Sequence, residues 1–257
     1  MTRSEPLETY LSVIVPAYNE EDVIGDTLVE ITGYLDKKGY SYEVIVVCDG
    51  CTDSTARIAK GLAGEKGAKG AKGGIKVIDR TVNRGKGFSV REGSLGATGE
   101  YMVFTDADLS TPVKEIDGAI ESLKGGYDIA IGSRAQADSR IRVHQRRYRE
   151  LMGKTFNSFV RLLAIKELKD TQCGFKAFKR AAALEVFSRQ RIQRFAFDVE
   201  LLYIAKKLGY RIKEFPVEWS NRTASKVNPV TDSMRMLLDL IRIRLLDLKG
   251  AYDAKKD

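Results

Sequence analysis

Tyr101-Met102-Val103-Phe104-Thr105-Asp106-Ala107-Asp108 is the stretch on which the fold turns. Five apolar or β-prone residues run straight into two acids, which reads as a buried strand ending in a polar turn. Carboxylates at i and i+2 just past a strand can both reach one hard cation once the chain bends. Mg²⁺ and Mn²⁺ take such oxygen ligands and bridge diphosphates readily. Turns are rich in Asp, so D-x-D carries little weight by itself. Its place at the end of an apolar run makes Asp106 and Asp108 metal candidates.

The same punctuation recurs on both sides. Leu11–Val15, Glu43–Val47, Ile75–Ile78 and Asp128–Ile131 read as further strands, and Arg211–Trp219 as a later one. Helical spacing predicts helices over Val23–Leu35, Ser54–Leu62, Gly87–Ala97, Val113–Leu123 and Phe197–Leu208. This alternation predicts an α/β fold, a mostly parallel sheet flanked by helices. Gly61–Gly74 (GLAGEKGAKGAKGG) has little to bury and reads as a mobile surface loop. Two amphipathic helices are expected late in the chain. Tyr148–Ile165 places Met152, Phe156, Phe159, Val160 and Leu163 on one face. Met234–Leu248 is very apolar, with Arg235, Asp239, Arg242 and Lys249 along one stripe.

In an open parallel sheet, ligands bind beyond the carboxyl ends of the strands. Polar clusters follow four of the strands: Tyr18-Asn19-Glu20, then Asp49-Gly50 with Asp53, then Asp106 and Asp108, then Ser133-Arg134. Together they outline a crevice. Asp49, at a strand end, suits hydrogen bonds from a base or ribose, whereas Asp53 also suits the cap of the helix that follows. Asn83-Arg84-Gly85-Lys86-Gly87 precedes a helix, where glycines let backbone approach a phosphate and Lys86 adds charge. It is not a Walker A loop, because Tyr148 stands where Gly153-Lys154-Thr155 would need a glycine.

The 257 residues suit one large domain, and 43% hydrophobic residues can bury a sizeable core. A net charge of +8 favours anionic partners. A basic nucleic-acid-binding or membrane-binding module without catalysis is the alternative of another class. No stacking aromatics interleave with the loop lysines, so no nucleic-acid partner is expected. Cys48, Cys51 and Cys173 with the single His144 make a poor zinc set and read as reduced thiols of a cytosolic protein. The polar start of the chain is unlike a signal peptide, and no apolar run is long enough to span a bilayer.

Taken together, the motifs resemble family 2 of the glycosyltransferases, with its GT-A fold. VIVPAYNEE (Val13–Glu21), VVCDGCTDST (Val46–Thr55), NRGKG (Asn83–Gly87), DADLST (Asp106–Thr111) and GSR (Gly132–Arg134) carry the resemblance. The second half is similar to the dolichyl-phosphate β-glucosyltransferase branch through DTQCGFKAF (Asp170–Phe178), RFAFDVELLYIA (Arg194–Ala205) and VEWSNRTASKV (Val217–Val227). The resemblance implies a nucleotide-sugar-binding half over residues 10–133, an acceptor half over 134–230, and a C-terminal amphipathic helix and tail over 231–257. It implies that Pro16, Tyr18 and Glu20 frame the nucleotide, that Asp49 accepts from uracil, and that Lys86 lies near the nucleotide. Asp106 and Asp108 would hold Mg²⁺ or Mn²⁺ and the sugar. Arg134, Arg149, Arg222 and Lys226 would bind the acceptor phosphate, and Asp198 would orient an arginine or touch the sugar, a surface carboxylate being its plain alternative. Three departures stand out. Cys51 replaces the usual Ser, an N-terminal anchor like that of eukaryotic glucosyl members is not expected, and Ser110 stands where mannosyl relatives offer a Gln to the metal.

The implied reaction is an inverting displacement that moves a hexose, glucose from UDP-glucose by the branch, onto a dolichyl or polyprenyl phosphate. Mannosyl and N-acetylhexosaminyl transfer are the alternatives. A phosphate monoester has a second pKa of about 6, so at neutral pH it needs no general base. Such an acceptor implies a peripheral site on the cytoplasmic face of a membrane. The sequence leaves open whether the amphipathic helices meet lipid, pack internally or join two copies as a homodimer.

Overall fold

The computed structural model describes residues 9–66, 73–143, 153, 155–161, 164–221 and 231–253. Seven strands form one sheet: β1 (Leu11–Ala17), β2 (Tyr42–Asp49), β3 (Gly73–Arg80), β4 (Tyr101–Phe104), β5 (Ile129–Ser133), β7 (Lys176–Lys179) and β8 (Ile212–Pro216). Their spatial order is β3-β2-β1-β4-β7-β5-β8. All neighbours run parallel except β7, which is antiparallel to both β4 and β5. A separate parallel pair joins β6 (Arg140–Val143) to β9 (Glu218–Ser220).

β1, β2 and β4 are buried from end to end apart from half-buried Pro16, as both-face burial of a parallel sheet requires. On one face lie α1 (Ile24–Lys38), α2 (Thr55–Lys66) and α4 (Ile116–Lys124), with Ile24, Leu28, Ala59, Ile116 and Leu123 packed on Val13, Val15 and Val44. The other carries α3 (Lys86–Leu95), α5 (Arg180–Arg189), α6 (Phe197–Lys207) and α7 (Thr231–Leu248), with Val90, Val186, Phe197 and Leu240 over Ile14, Phe104 and Phe178.

The expected α/β architecture holds, with four corrections. β7 and α5 were not anticipated, because Lys176-Ala177-Phe178-Lys179 begins and ends with lysine, which reads as exposed chain. β6 was missed likewise, its four residues being exposed throughout. The strand expected over Arg211–Trp219 is two strands that belong to different sheets, broken between Pro216 and Glu218. Within the expected loop Gly61–Gly74, residues 61–66 complete α2 and Gly73 opens β3, while 67–72 lie outside the described residues.

Both late helices place side chains in the core. In residues 155–161, Phe156 and Val160 are buried and Phe159 is exposed, while Met152 and Leu163 lie outside the described residues. Met236, Leu240 and Ile243 seat α7, yet a second apolar row on the same helix stays exposed. Among the described residues, no helix is long and apolar enough to cross a membrane.

Candidate active site

The register decides where chemistry gathers. Ala17 of β1 sits beside Cys48 of β2, and Phe104 of β4 beside Ile14, so the parallel strands end at one rim. β7 runs the other way, so it starts at that rim: Lys176 pairs with Phe104 on one side and Ile131 on the other. The segment 170–175 therefore arrives directly over the end of β4.

Asp106 and Asp108 follow β4 in a turn that puts Leu109 at φ 47°, a left-handed conformation strained for a branched side chain. Lys86, the first residue of α3, places Nζ 2.5 Å from Asp106 Oδ1. Burial disfavours its charge, but Asp106 and Asp198 outweigh that and hold the ammonium above its ordinary pKa. Asp108 accepts from Ser110 twice, from the backbone N–H at 2.9 Å and from Oγ at 2.8 Å. The residue expected at the further metal-ligand position thus holds the second carboxylate in place. Gly174 lies so close that a Cβ there would stand 2.0 Å from Asp106 Oδ2, which is why the backbone over this carboxylate bears no side chain.

The glycines of NRGKG have another task than expected. Gly85 (φ 99°) faces the carbonyl of Gln193, which a Cβ would approach to 2.7 Å, and a Cβ on Gly87 would stand 2.6 Å from Phe197 Cβ. They admit protein, the 193–197 segment. That segment is tied down from behind. Glu200, fully buried, accepts from the N–H groups of Arg191 and Ile192 and from Tyr252 Oη.

Asp49 also departs from expectation. Its carboxylate, 3% exposed, accepts from Arg80 Nη2 at 2.6 Å and from the N–H groups of Arg84 and Gly85 at 2.8 and 2.7 Å. Three charge-assisted bonds aim it at the 84–85 turn, so what it visibly does is shape the approach to Lys86. Asp53 has the capping role: it accepts from the N–H and Oγ1 of Thr55, where α2 begins, and from the N–H of Glu21. Pro16 is half-buried at the end of β1 and Tyr18 exposed beside it, while the Glu20 N–H donates to Thr55 Oγ1.

Two ion pairs complete the rim, one buried and one half-buried, and their partners were invisible to sequence reasoning. Lys176, with no exposed surface, donates to Asp198 Oδ1 at 2.5 Å and to the Cys173 carbonyl at 2.6 Å. Asp198 therefore pairs with a lysine, not an arginine, and is no surface carboxylate. Burial pushes its carboxyl above the usual range, against the pull of Lys176 and Lys86. Arg134, just after β5, grips Asp170 bidentately through Nε (2.7 Å) and Nη2 (2.9 Å), and its own N–H reaches the same carboxylate. Burial works to raise Asp170, but Arg134 overrides it and holds the group at about 2. Trp219 lies under the guanidinium, 5.4 Å from its ring centroid. The signal for Asp170, Gly174 and Lys176 was the segment Asp170–Phe178 itself, quoted for its likeness but not read for roles. Arg149, Arg222 and Lys226 lie outside the described residues, as does His144.

A divalent cation fits this rim. Asp106 and Asp108 are hard oxygen donors, and Gly174 leaves the approach to Asp106 clear. Among the described residues no group of three or more His, Cys, Asp or Glu converges. Mg²⁺ and Mn²⁺ commonly bind through one or two carboxylates, substrate phosphates and water.

Comparison with known proteins places the chain among families. The model of the family "Glycosyl transferase family 2" matches residues 12–187. The chain is 37% identical over 256 residues to the dolichyl-phosphate beta-glucosyltransferase of Dictyostelium discoideum, covering 96% of this chain and 77% of that protein. The human dolichyl-phosphate beta-glucosyltransferase is 37% identical over 253 residues, with 94% and 77% covered. The Saccharomyces cerevisiae protein of that name is 34% identical over 263 residues, with 97% and 78% covered. Among solved structures, glucosyl-3-phosphoglycerate synthase from Mycobacterium tuberculosis, in complex with Mn²⁺, UDP and glucosyl-3-phosphoglycerate, superposes with a TM-score of 0.62 at 20% identity, covering 94% of this chain and 80% of that one. Mannosyl-3-phosphoglycerate synthase from Rubrobacter xylanophilus gives 0.66 at 19% identity, with 95% and 76% covered.

Proposed function

The chain belongs to glycosyl transferase family 2 and has its GT-A fold, and from that premise we propose that it transfers glucose from UDP-glucose, with inversion, to a dolichyl or polyprenyl phosphate. Enzymes of that name are its relatives over nearly the whole chain. The membership replaces the non-catalytic nucleic-acid module as an account of the positive charge.

The observation that carries the choice of acceptor is the state of Asp198. A carboxylate that must take a proton from an acceptor hydroxyl has to be free to receive it. Asp198 is instead buried and clamped to a fully buried lysine. An acceptor that is already an anion suits this arrangement, because a phosphate monoester brings its own nucleophilic oxygen.

The chain's residues then divide the work. Residues 10–133 serve the donor. Pro16, Tyr18 and Glu20 border the nucleotide, and Asp49 sets the turn that delivers Lys86. Asp106 and Asp108 would hold Mg²⁺ or Mn²⁺, which when bound neutralises charge building on the departing diphosphate. Lys86 adds positive charge at the same mouth, which favours the transition state over the ground state if that charge grows along the reaction. Residues 134–230 serve the acceptor. Asp170 takes the Nε–Nη2 edge of Arg134 and so turns the Nη1 edge toward an incoming phosphate, with Arg149, Arg222 and Lys226 as its further partners. Lys176 neutralises Asp198, which keeps a second negative charge from repelling the acceptor. Residues 231–257 form the appended amphipathic element. Three free cysteines accord with the reducing cytoplasmic side of a membrane.

The test is a donor panel of UDP-glucose, GDP-mannose and UDP-N-acetylglucosamine against dolichyl phosphate, with and without Mn²⁺, read as lipid-linked product. Glucosyl lipid that depends on the metal and disappears with EDTA is expected. Lipid-linked mannose instead, or no lipid product from any donor, would overturn the proposal.

A further inference from the structure

The second apolar row of α7 has no place in the catalytic account. Met234, Leu238, Ile241, Leu245 and Leu248 are each 49% to 80% exposed. Their spacing of four, three, four and three puts them along one line, within an arc of about 80° at 3.6 residues per turn. Seating the helix does not require them, because Met236, Leu240 and Ile243 already do that from the opposite side.

Charge says what can cover this row. Arg235, Arg242 and Lys249, seven residues apart and all exposed, run along one edge. Arg244 stands on the other edge, its Nη1 2.5 Å from Tyr203 Oη. The helix acids point elsewhere. Asp232 is buried, with Arg235 at 3.6 Å. Asp247 turns to Lys207 and Tyr203. Half-buried Asp239 lies near Arg194 and Arg242. The row has the spacing of a coiled-coil seam, but pairing two copies along it would set Arg and Lys against Arg and Lys at the flanks, where coiled coils need opposite signs. A flat anionic surface meets the same pattern favourably: apolar side chains enter the acyl boundary while the flanking cations reach the headgroups.

We infer that α7 docks this protein on anionic bilayers, with Met234, Leu238, Ile241, Leu245 and Leu248 inserted and Arg235, Arg242, Arg244 and Lys249 on the headgroups. The choice of lipid over an acidic protein helix rests on the lipid acceptor proposed above. The placement serves that acceptor. Asp239 of α7 feels the charge of Arg194, whose segment 193–197 closes over Gly85 and Gly87 beside Lys86.

The full chain is sedimented with phosphatidylcholine vesicles, with and without phosphatidylserine, at low and high salt. Alongside it run Leu238→Gln with Leu245→Gln, and Arg242→Glu with Lys249→Glu, all exposed positions that leave the core intact. Wild type should pellet with the anionic vesicles and be released by salt, and each double variant should associate at least about tenfold less. Undiminished association of either variant, or none of the wild type at low salt, overturns docking through α7. So does a wild-type dimer that the leucine variant turns into a monomer, since that makes a second copy the occupant. Transfer to a short-chain, water-soluble prenyl phosphate separates the two proposals. Its persistence in all three proteins alongside failed sedimentation sinks docking alone, and its absence in wild type sinks the proposed acceptor.

Discussion

The two sides of the rim hold their charged groups by different means. On the donor side, Asp49, Asp106 and Asp108 stand where strands end, and nearby turns hold two of them: Arg84 and Gly85 donate backbone N–H groups to Asp49, and Ser110 donates to Asp108. On the acceptor side, Asp198 and Asp170 are fixed by cations distant in sequence, Lys176 in a buried pair and Arg134 in a half-buried one. Asp106, a third exposed, stays open to a ligand, whereas Asp49 is spent on shaping the turn that carries Lys86. Buried pairs bind the protein to itself, and each member becomes a liability if its partner is lost. Function and stability are therefore expected to separate across the rim.

The largest expected effect is on chemistry alone. Asp106→Ala should lower glucosyl transfer about a thousandfold, the several kcal/mol a bound cation supplies. Thermal unfolding should barely move, since the removed carboxylate is partly exposed. A collapse in Tm instead would erase the contrast between the two sides. Next comes Lys176→Met, which leaves Asp198 buried and unpaired and should cost about 3 kcal/mol by denaturant titration. The double variant Lys176→Met with Asp198→Leu should recover much of that stability without recovering transfer. If it stays as unstable as the single variant, packing rather than charge explains the site.

A smaller loss is expected from Gly174→Ala, because the added methyl meets the Asp106 carboxylate. Displacing that oxygen by about 1 Å should cost roughly a hundredfold in kcat/KM with Tm unchanged. Normal kinetics would mean the segment over β4 gives way freely. The smallest effect lies in pH. Asp170 is held at about 2, below its ordinary 3.8. A depressed carboxyl stabilises the fold fully above its unfolded pKa and loses that contribution as pH falls through its folded one. About 2 kcal/mol should therefore vanish between roughly pH 4 and pH 2, and Asp170→Asn should flatten that part of the stability profile. An unchanged slope would show that Arg134 does not govern Asp170.

How much the residues disclosed follows the same division. Strand ends and D-x-D were readable because parallel strands advertise themselves as apolar runs, and acids after them mark one rim. Asp53 as a cap was readable from its place before Ser54, and the structure puts it there. The protein neighbours of the NRGKG glycines were not legible, because a glycine announces only that something comes close. The structure supplies Gln193 and Phe197, more than a hundred residues away. β7 was missed because a strand that opens on lysine breaks the apolar pattern, and only a buried aspartate on α6 makes that lysine acceptable.

Local pattern thus determined the α/β alternation, the parallel core strands and the carboxylates at their ends, since periodicity and turn chemistry act between near neighbours. Tertiary structure alone decided that an antiparallel strand enters the sheet at the rim, that Lys176 meets Asp198 and Arg134 meets Asp170, and that α7 has one apolar row inside and another outside. Those outcomes depend on which distant groups share a low-dielectric space, and burial, not sequence order, sets what a buried charge needs.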